Sequence, residues 1–439
     1  MTKEEKYSIA RWAMEHALKS GADAARVTIS NNNSSTVEVR EEKIDKLEEA
    51  NRNNMRINLY VNNRYSSIST NRLDNKEELG RFIEEAIAGT GYLSEDRFRA
   101  LPDPGLYYKG GGADLKTVDT QFGSHDPQQK IDQAFAIEKE VLGKDDRIIS
   151  VTSTYRDGLS GDVMVASNGF EGDRENSYYS LVASVSVNDG DSRPQGYWYE
   201  SAIFHDELVK QGIGSEALKR ALNKLGQKKI KSGAMPMIIE NRLAGRALDP
   251  VISALNGSAI QQKNSFLIDM KEERIGSALM TIIDDPFIVS GRGSRLYDSE
   301  GLATRRRNIV EGGILKEYFI DTYYGKKLEM EPTTGETTNL VFEPGEKDLA
   351  GLLGDIGYGI FVTGFNGGNS NGSTGDFSYG IEGFLVENGK LTQPVSEMNI
   401  TGNFREMWNN LVAVGNDVYT GSSWRLPSLV FDKVSFSGI

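Results

Sequence analysis

The chain has 439 residues, with 63 acidic against 50 basic side chains and a formal net charge of -13, a balance that repels a phosphate backbone on average and argues against nucleic-acid binding. There is no cysteine, which excludes disulfides, thiolate metal ligands and a thiol nucleophile. The length exceeds the roughly 250–300 residues that one hydrophobic core serves, so two domains are expected.

In chain order, the first segment predicts an amphipathic helix over Lys3 to Ser20, with Ile9, Trp12, Ala13, Ala17 and Leu18 at helical spacing. Charges run through it where a signal peptide would carry an apolar stretch, and no run of 18 apolar residues follows anywhere, so a cytoplasmic protein without a membrane span is expected. Ala25 to Ser30 reads as a strand and Asn31-Asn32-Asn33 as a turn. Met55, Ile57, Leu59 and Val61 fall on every second residue, and Asn62-Asn63 turns that strand into a hairpin with Tyr65 to Ser69. A second helix covers Lys76 to Ala88, an irregular stretch runs from Ser94 to Phe122, and a third helix follows Pro127.

From Arg147 the pattern becomes a meander of strands, at Ile148 to Tyr155, Val163 to Ser167, Tyr178 to Val187 and Tyr197 to Ile203. A helix from Asp206 to Leu225 closes it, with Asp206 as N-cap and Gly226 as the residue after its end. The polar run Gln227 to Gly233 divides a first domain, 1–226, from a second, 234–439. Met235 to Glu240 then reads as a strand entering a helix over Asn241 to Leu255. Gly313 to Asp321 reads as a strand, Asn388-Gly389 as a tight hairpin turn, and Asn403 to Val414 as a helix. Helices and strands cluster instead of alternating, so the class is α+β: an N-terminal α/β domain with an antiparallel sheet, and a C-terminal, mostly β domain with a few helices.

The chemistry is defined first by what is missing. His16, His125 and His205 each lack a second histidine within helical reach, so no helical zinc pair exists. Gly368 to Gly372 matches G-x-S-x-G by letter, but it lies in a glycine-rich loop and not on a strand-to-helix turn. The glycine-rich run Gly364 to Gly375 lacks the G-K-[ST] ending of a phosphate loop. It reads either as a long hairpin loop or as a groove that lets another backbone approach, with Gly367, Gly368, Thr374, Gly375 and Asp376 lining a peptide or partner groove. The basic triplet Arg305 to Arg307 reads as a solvated edge.

Several strings then occur in a telling order: Thr374 to Ser378, Gly383 to Gly389, Pro394-Val395, Gly402-Asn403 and Val414 to Asp417, preceded by Ile57 to Tyr65, Asp298 to Gly301 and Gly312 to Tyr318. Together they resemble the TldD/PmbA family, once called modulators of DNA gyrase. The resemblance implies a two-domain protein that dimerises. In the catalytic branch an H-E-x-x-x-H helix follows the first strand of the C-terminal domain, and a late cysteine assists the metal. Here the matching positions are Asn241, Arg242 and Arg246, with the register resting on Gly245 to Leu248. The resemblance therefore implies the PmbA/TldE branch: a chain with no catalytic residue and no cofactor or metal of its own, expected to be inactive alone, paired with a metal-bearing TldD-like subunit that acts on short or unfolded peptides. A stand-alone peptide-binding or regulatory homodimer, and an independent hydrolase with an unrecognised site, are the other two readings.

Overall fold

The computed structural model describes all of residues 1–439. Helix α1, Lys3–Lys19, starts at a capping box in which Thr2 and Glu5 satisfy each other's free amides. Strands β1 (Ala24–Arg40), β2 (Lys43–Val61) and β3 (Arg64–Thr70) follow, then α2 (Lys76–Thr90) and α3 (Pro127–Lys139), then β4 (Ile148–Ala166), β5 (Glu171–Val187) and β6 (Gln195–Ala202), and α4 (Ile213–Leu222). The six strands make one antiparallel sheet in the order β3-β2-β1-β4-β5-β6. Strict alternation gives it two unlike faces. Ala25, Val27, Ile29, Met55, Ile57 and Leu59 are buried under α1 and α2, while Val37, Val39, Val151, Tyr155, Leu181 and Val185 belong to a second core with α3 and α4. The opposite face is largely polar.

Beyond α4 the chain builds two further sheets. The elements are β7 (Gly233–Ile239), α5 (Ala244–Ala254), α6 (Gly257–Gln261), β8 (Ile282–Asp284), β9 (Arg307–Glu311), β10 (Ile314–Leu315), α7 (Thr322–Leu328), β11 (Leu340–Phe342), α8 (Leu349–Asp355), β12 (Tyr358–Ser370), β13 (Asp376–Glu387), β14 (Lys390–Asn403), α9 (Phe404–Asn409), β15 (Leu411–Val414), β16 (Trp424–Arg425) and β17 (Leu429–Ser437). One sheet runs β14-β13-β12-β7-β17-β15, and an extra pairing of β14 with β17 closes five of its strands on themselves; the other runs β10-β9-β8-β11-β16. A large core led by Trp408, Phe342, Phe431 and Phe436 joins them. The α+β class with two domains holds. No helix is long and apolar enough to cross a membrane.

Several expected boundaries are corrected. Asn31 to Asn33 do not turn: β1 runs through them, paired with Asn53, Arg52 and Asn51 on one side and Gly161, Ser160 and Leu159 on the other. Ladder bonds from two neighbours outweigh the turn preference of asparagine. The actual reversal is at Glu41 and Glu42, both with positive φ. The gap expected between Tyr155 and Val163 is also continuous strand, because Gly158 leaves room for the Tyr178 ring, with which a Cβ there would collide. The helix expected from Asp206 begins at Ile213, where the Glu140 carboxylate accepts from the amides of Gly212 (2.8 Å) and Ser215 (3.1 Å) and so serves as a cap from another helix. The helix expected to reach Val414 stops at Asn409, and Leu411–Val414 pair with β17 instead. Of the strand expected over Gly313 to Asp321, only Ile314–Leu315 is strand. The glycine-rich run is mostly β12, with the loop reduced to 371–375. Arg307 is not a solvated edge. Its side chain is 3% exposed and pairs with Asp284 at 3.1 Å.

Candidate functional site around the start of helix α5

The segment matched to the metal-binding helix begins where β7 leaves the barrel. The chain turns at Glu240, whose carbonyl accepts from the amides of Leu243 (2.8 Å) and Ala244 (3.0 Å), and α5 starts only at Ala244. Asn241 and Arg242 therefore stand on the turn before the helix, and Arg246 on its first turn. Asn241 donates from Nδ2 to the Asp417 carbonyl and from its backbone amide to Ser428 Oγ at 3.2 Å.

Arg242 points back at the first domain. Its Nη2 meets Glu200 Oε1 at 2.7 Å and its Nη1 donates to the Tyr199 carbonyl at 2.9 Å. The guanidinium lies 3.8 Å from the ring centre of Trp198 and 4.1 Å from that of Tyr419. On the same indole, Arg220 stands at 4.3 Å. Arg220 in turn reaches the Glu240 carboxylate, with Nη1 to Oε2 at 3.1 Å, and holds Glu216 as well. The cleft bordered by Asn241, Arg242, Trp198, Glu200 and Tyr419 measures about 510 Å³; in it Arg242 is paired with Glu200 and Glu240 with Arg220, while the Asp417 carboxylate accepts from the amide and hydroxyl of Ser428. Burial pushes the Tyr419 phenol above its usual range.

These groups do not suit a metal ion. One neutral amide oxygen, beside a guanidinium that is permanently cationic and a carboxylate engaged by Arg220, is too few ligands for a hydrolytic metal, and nowhere do three His, Cys, Asp or Glu side chains gather to hold one.

Arg246 diverges from Arg242. Its guanidinium lies 5.3 Å from the ring of Tyr379 on β13, and Tyr379 pairs with Gly368 on β12. The first turn of α5 thus abuts the strand pair that carries the glycine-rich run. Gly367 (φ 75°) and Gly368 (φ 105°) form a bulge in β12. A Cβ at Gly368 would collide with the Ser378 carbonyl, so the backbone it admits belongs to its own hairpin. Thr374, Gly375 and Asp376 close a tied turn: Thr374 Oγ1 donates to Asp376 Oδ2 at 2.7 Å, and Asn403 Nδ2 donates to the Thr374 carbonyl (2.8 Å) and to Asp376 Oδ1 (3.0 Å). Donation from Asn403 and Thr374 holds the Asp376 carboxyl below its ordinary value. A Cβ at Gly375 would lie 3.0 Å from the Phe266 ring.

The structure also joins groups that the sequence keeps apart. His125 and His205, read as solitary, have ring centres 3.8 Å apart, beside Tyr179. Eighty residues of chain separate them, so no local spacing rule could pair them.

The models of two family domains match this chain: the PmbA/TldA metallopeptidase central domain over residues 121–225, and the PmbA/TldA metallopeptidase C-terminal domain over 232–438. The chain belongs to the PmbA/TldD family. Among relatives, it is 30% identical to the metalloprotease PmbA homolog of Haemophilus influenzae, over 97% of this chain and 95% of that one. It is 27% identical to the metalloprotease PmbA of Escherichia coli O157:H7, over 96% and 94%. Among solved structures, a candidate modulator of DNA gyrase from Bacteroides thetaiotaomicron superposes over the whole of both chains with TM-score 0.98 and 51% identity. TldE from Thermococcus kodakarensis shares the fold at TM-score 0.85 and 19% identity, over 98% of this chain and all of that one.

Proposed function

We propose that this chain is the non-catalytic, PmbA/TldE-like subunit of a cytoplasmic metallopeptidase complex that processes short or unfolded peptides, the metal being held by a TldD-like partner. The observation that carries the reading is the state of the α5 entry. In a metal hydrolase this place needs ligands that fix the ion and leave a position open for water. Here Arg242 fills it with a cation that is already neutralised by Glu200 and held against Trp198 and Tyr419. The fold is kept while the chemistry is removed, as suits a chain that contributes wall and not catalyst. The Thr374 to Asp376 turn, tied to Asn403, is proposed as part of the surface that meets a peptide or the partner.

The test is reconstitution. The purified chain is mixed with a metal-bearing TldD-like subunit, and cleavage of an unstructured peptide is followed. Cleavage is expected in the mixture only, and chelator should abolish it. Cleavage by the isolated chain in the presence of chelator would overturn the reading. A bulky residue at Gly375, where φ is +81° and Phe266 is close, should lower the activity of the mixture while the chain remains folded.

A further inference from the structure

The polar face of the N-terminal sheet carries a second concavity, of about 340 Å³, in which the charges are not matched. Directly opposed residues share a face across an antiparallel ladder. Arg26 on β1 faces Asn58 on β2, Thr28 faces Arg56, and Ser30 faces Asn54 on one side and Asp162 on the other. Asp162 faces Arg174 on β5. The wall therefore holds three guanidinium groups and one carboxylate.

The side chain of Arg26 is 13% exposed, and its one ion pair, to Glu300, is 3.8 Å long. Its Nη1 is buried with no hydrogen-bond partner. Arg56 forms no ion pair and is exposed. Asp162 Oδ1 accepts from Arg174 Nε at 2.8 Å, while its Oδ2 is buried and unpartnered. Unmet buried polar atoms are uncommon and expensive. Both residues line the pocket, at strand levels toward opposite ends of it. Four residues of β1 separate the Arg26 level from the Ser30 level, about 13 Å at the rise of a strand.

We propose that this pocket binds a short peptide with a free C-terminus, three to four residues long. Its carboxylate would be held by Arg26 and Arg56, its amides met by Asn54 and Asn58, and its amino end set beside Asp162. An extended chain spans about 3.3–3.6 Å per residue, so a tetrapeptide spans the separation of those two strand levels. The pocket offers almost no apolar wall, so recognition depends on the peptide's ends and backbone and not on its side chains. Ser299, from the second domain, also lines it, so a bound peptide would lie against both domains. The choice of a peptide rests on the reading given under Proposed function; the unmatched charges do not.

The experiment is calorimetric titration of the full chain with tetraalanine, with its C-terminal amide and with its N-acetyl form. The free acid is expected to bind, and the amide about tenfold or more weakly, the usual effect of losing a charge-assisted contact. The N-acetyl form should fall between them. Arg56→Gln, which removes an exposed group that makes no ion pair, should weaken the free acid about tenfold and leave the circular dichroism spectrum unchanged. Equal affinity for acid and amide, an unaltered Arg56→Gln, or no binding at millimolar peptide would each overturn the pocket. Cleavage by the reconstituted mixture together with any of those results removes the pocket and keeps the subunit reading. Carboxylate-dependent binding together with an inert mixture does the reverse.

Discussion

Two clefts of this molecule are lined by arginine, and they differ in one respect. At the α5 entry each guanidinium has found a carboxylate or an aromatic face: Arg242 has Glu200 and Trp198, and Arg220 has Glu216 and Glu240. On the polar face of the N-terminal sheet, Arg26 has a distant Glu300 and Arg56 has no ion pair. In the first cleft the guanidinium groups are paired, although the Tyr419 hydroxyl is buried without a hydrogen-bond partner. The second resembles a receptor, where unmet groups are kept because something else completes them. The contrast teaches that the position where the family resemblance looks for chemistry and the position where this chain retains unsatisfied charge are different places.

The comparison predicts unequal costs for removing similar side chains. The largest effect is expected from Arg242→Ala. The change strands Glu200, 20% exposed in its ion pair, and strips contacts from Trp198 and Tyr419. Removing one partner of a largely buried pair typically costs about 3–5 kcal/mol, and partial exposure of Glu200 brings the expectation to about 2–4 kcal/mol. Urea denaturation followed by tryptophan fluorescence measures it directly. Adding Glu200→Gln should restore part of the loss. If the single variant is as stable as the parent, the Arg242 ion pair and ring contacts do not hold the α5 entry closed.

The next effect depends on pH and concerns the turn that borders the open pocket. Asp298 Oδ1 accepts from the amides of Glu300 and Leu302, both at 2.9 Å. Burial, with Glu300 adding to it, lifts its carboxyl from the ordinary 3.8 to about 6. A raised carboxyl means that the folded state holds the proton more tightly than the unfolded chain between those two values. Asp298 therefore contributes stability that is present below about pH 4 and is lost as pH rises through about 6. Asp298→Asn keeps an acceptor for both amides and carries no charge, so it should stabilise the protein by about 3 kcal/mol at pH 7.5. At pH 4 it should change little. Thermal unfolding of both proteins at the two values would show the difference, and equal gains at both would refute the assignment.

How much of this was legible in the sequence differs by element. Local signals held where local physics decides. Met55, Ile57 and Leu59 announced a strand because alternation is a property of neighbouring residues. Asn62-Asn63 and Asn388-Gly389 announced hairpins because their backbones adopt positive φ. The signals failed where a distant partner decides. Asn31 to Asn33 extend because two strands flank them, and α4 starts late because Glu140 caps it from another helix. The α5 positions Asn241, Arg242 and Arg246 could be located only through the family resemblance, with the register resting on Gly245 to Leu248. That Arg242 and Arg246 point to different neighbours depends on a helix beginning at Ala244, which composition does not reveal. The Arg26 pocket gave no sequence signal at all. Its residues are polar members of ordinary alternating strands, and they converge only through the ladder register.

A smaller effect with the opposite sign is expected in that pocket. Arg26→Met replaces a largely buried guanidinium, whose one ion pair is long, with an apolar side chain of similar reach. A charge in that setting retains most of its desolvation cost with little return. The variant should therefore be neutral or more stable by about 1 kcal/mol in urea, while the Arg242 change is strongly destabilising. A loss of 2 kcal/mol or more would mean that Arg26 is a structural group and that the two clefts are alike.

The smallest expected effect is the most discriminating. Arg56 is exposed and makes no ion pair, and surface changes of that kind usually alter stability by less than about 0.5 kcal/mol. Arg56→Gln should thus leave the unfolding curve where it is. Arg56 is exposed and arginine carries considerable side-chain entropy, so burial does not explain the meeting of Arg56 with Arg26 and Arg174 on one concave wall. With Arg174 paired to Asp162, repulsion between Arg56 and Arg26 should make removal of Arg56 mildly favourable to the empty fold. Lowering salt from 150 mM to 10 mM lengthens the screening distance from about 8 Å to about 30 Å and should enlarge that gain for Arg56→Gln relative to the parent. If low salt makes the variant less stable than the parent, Arg56 is serving the fold, and the second cleft is matched by charges that lie beyond its walls.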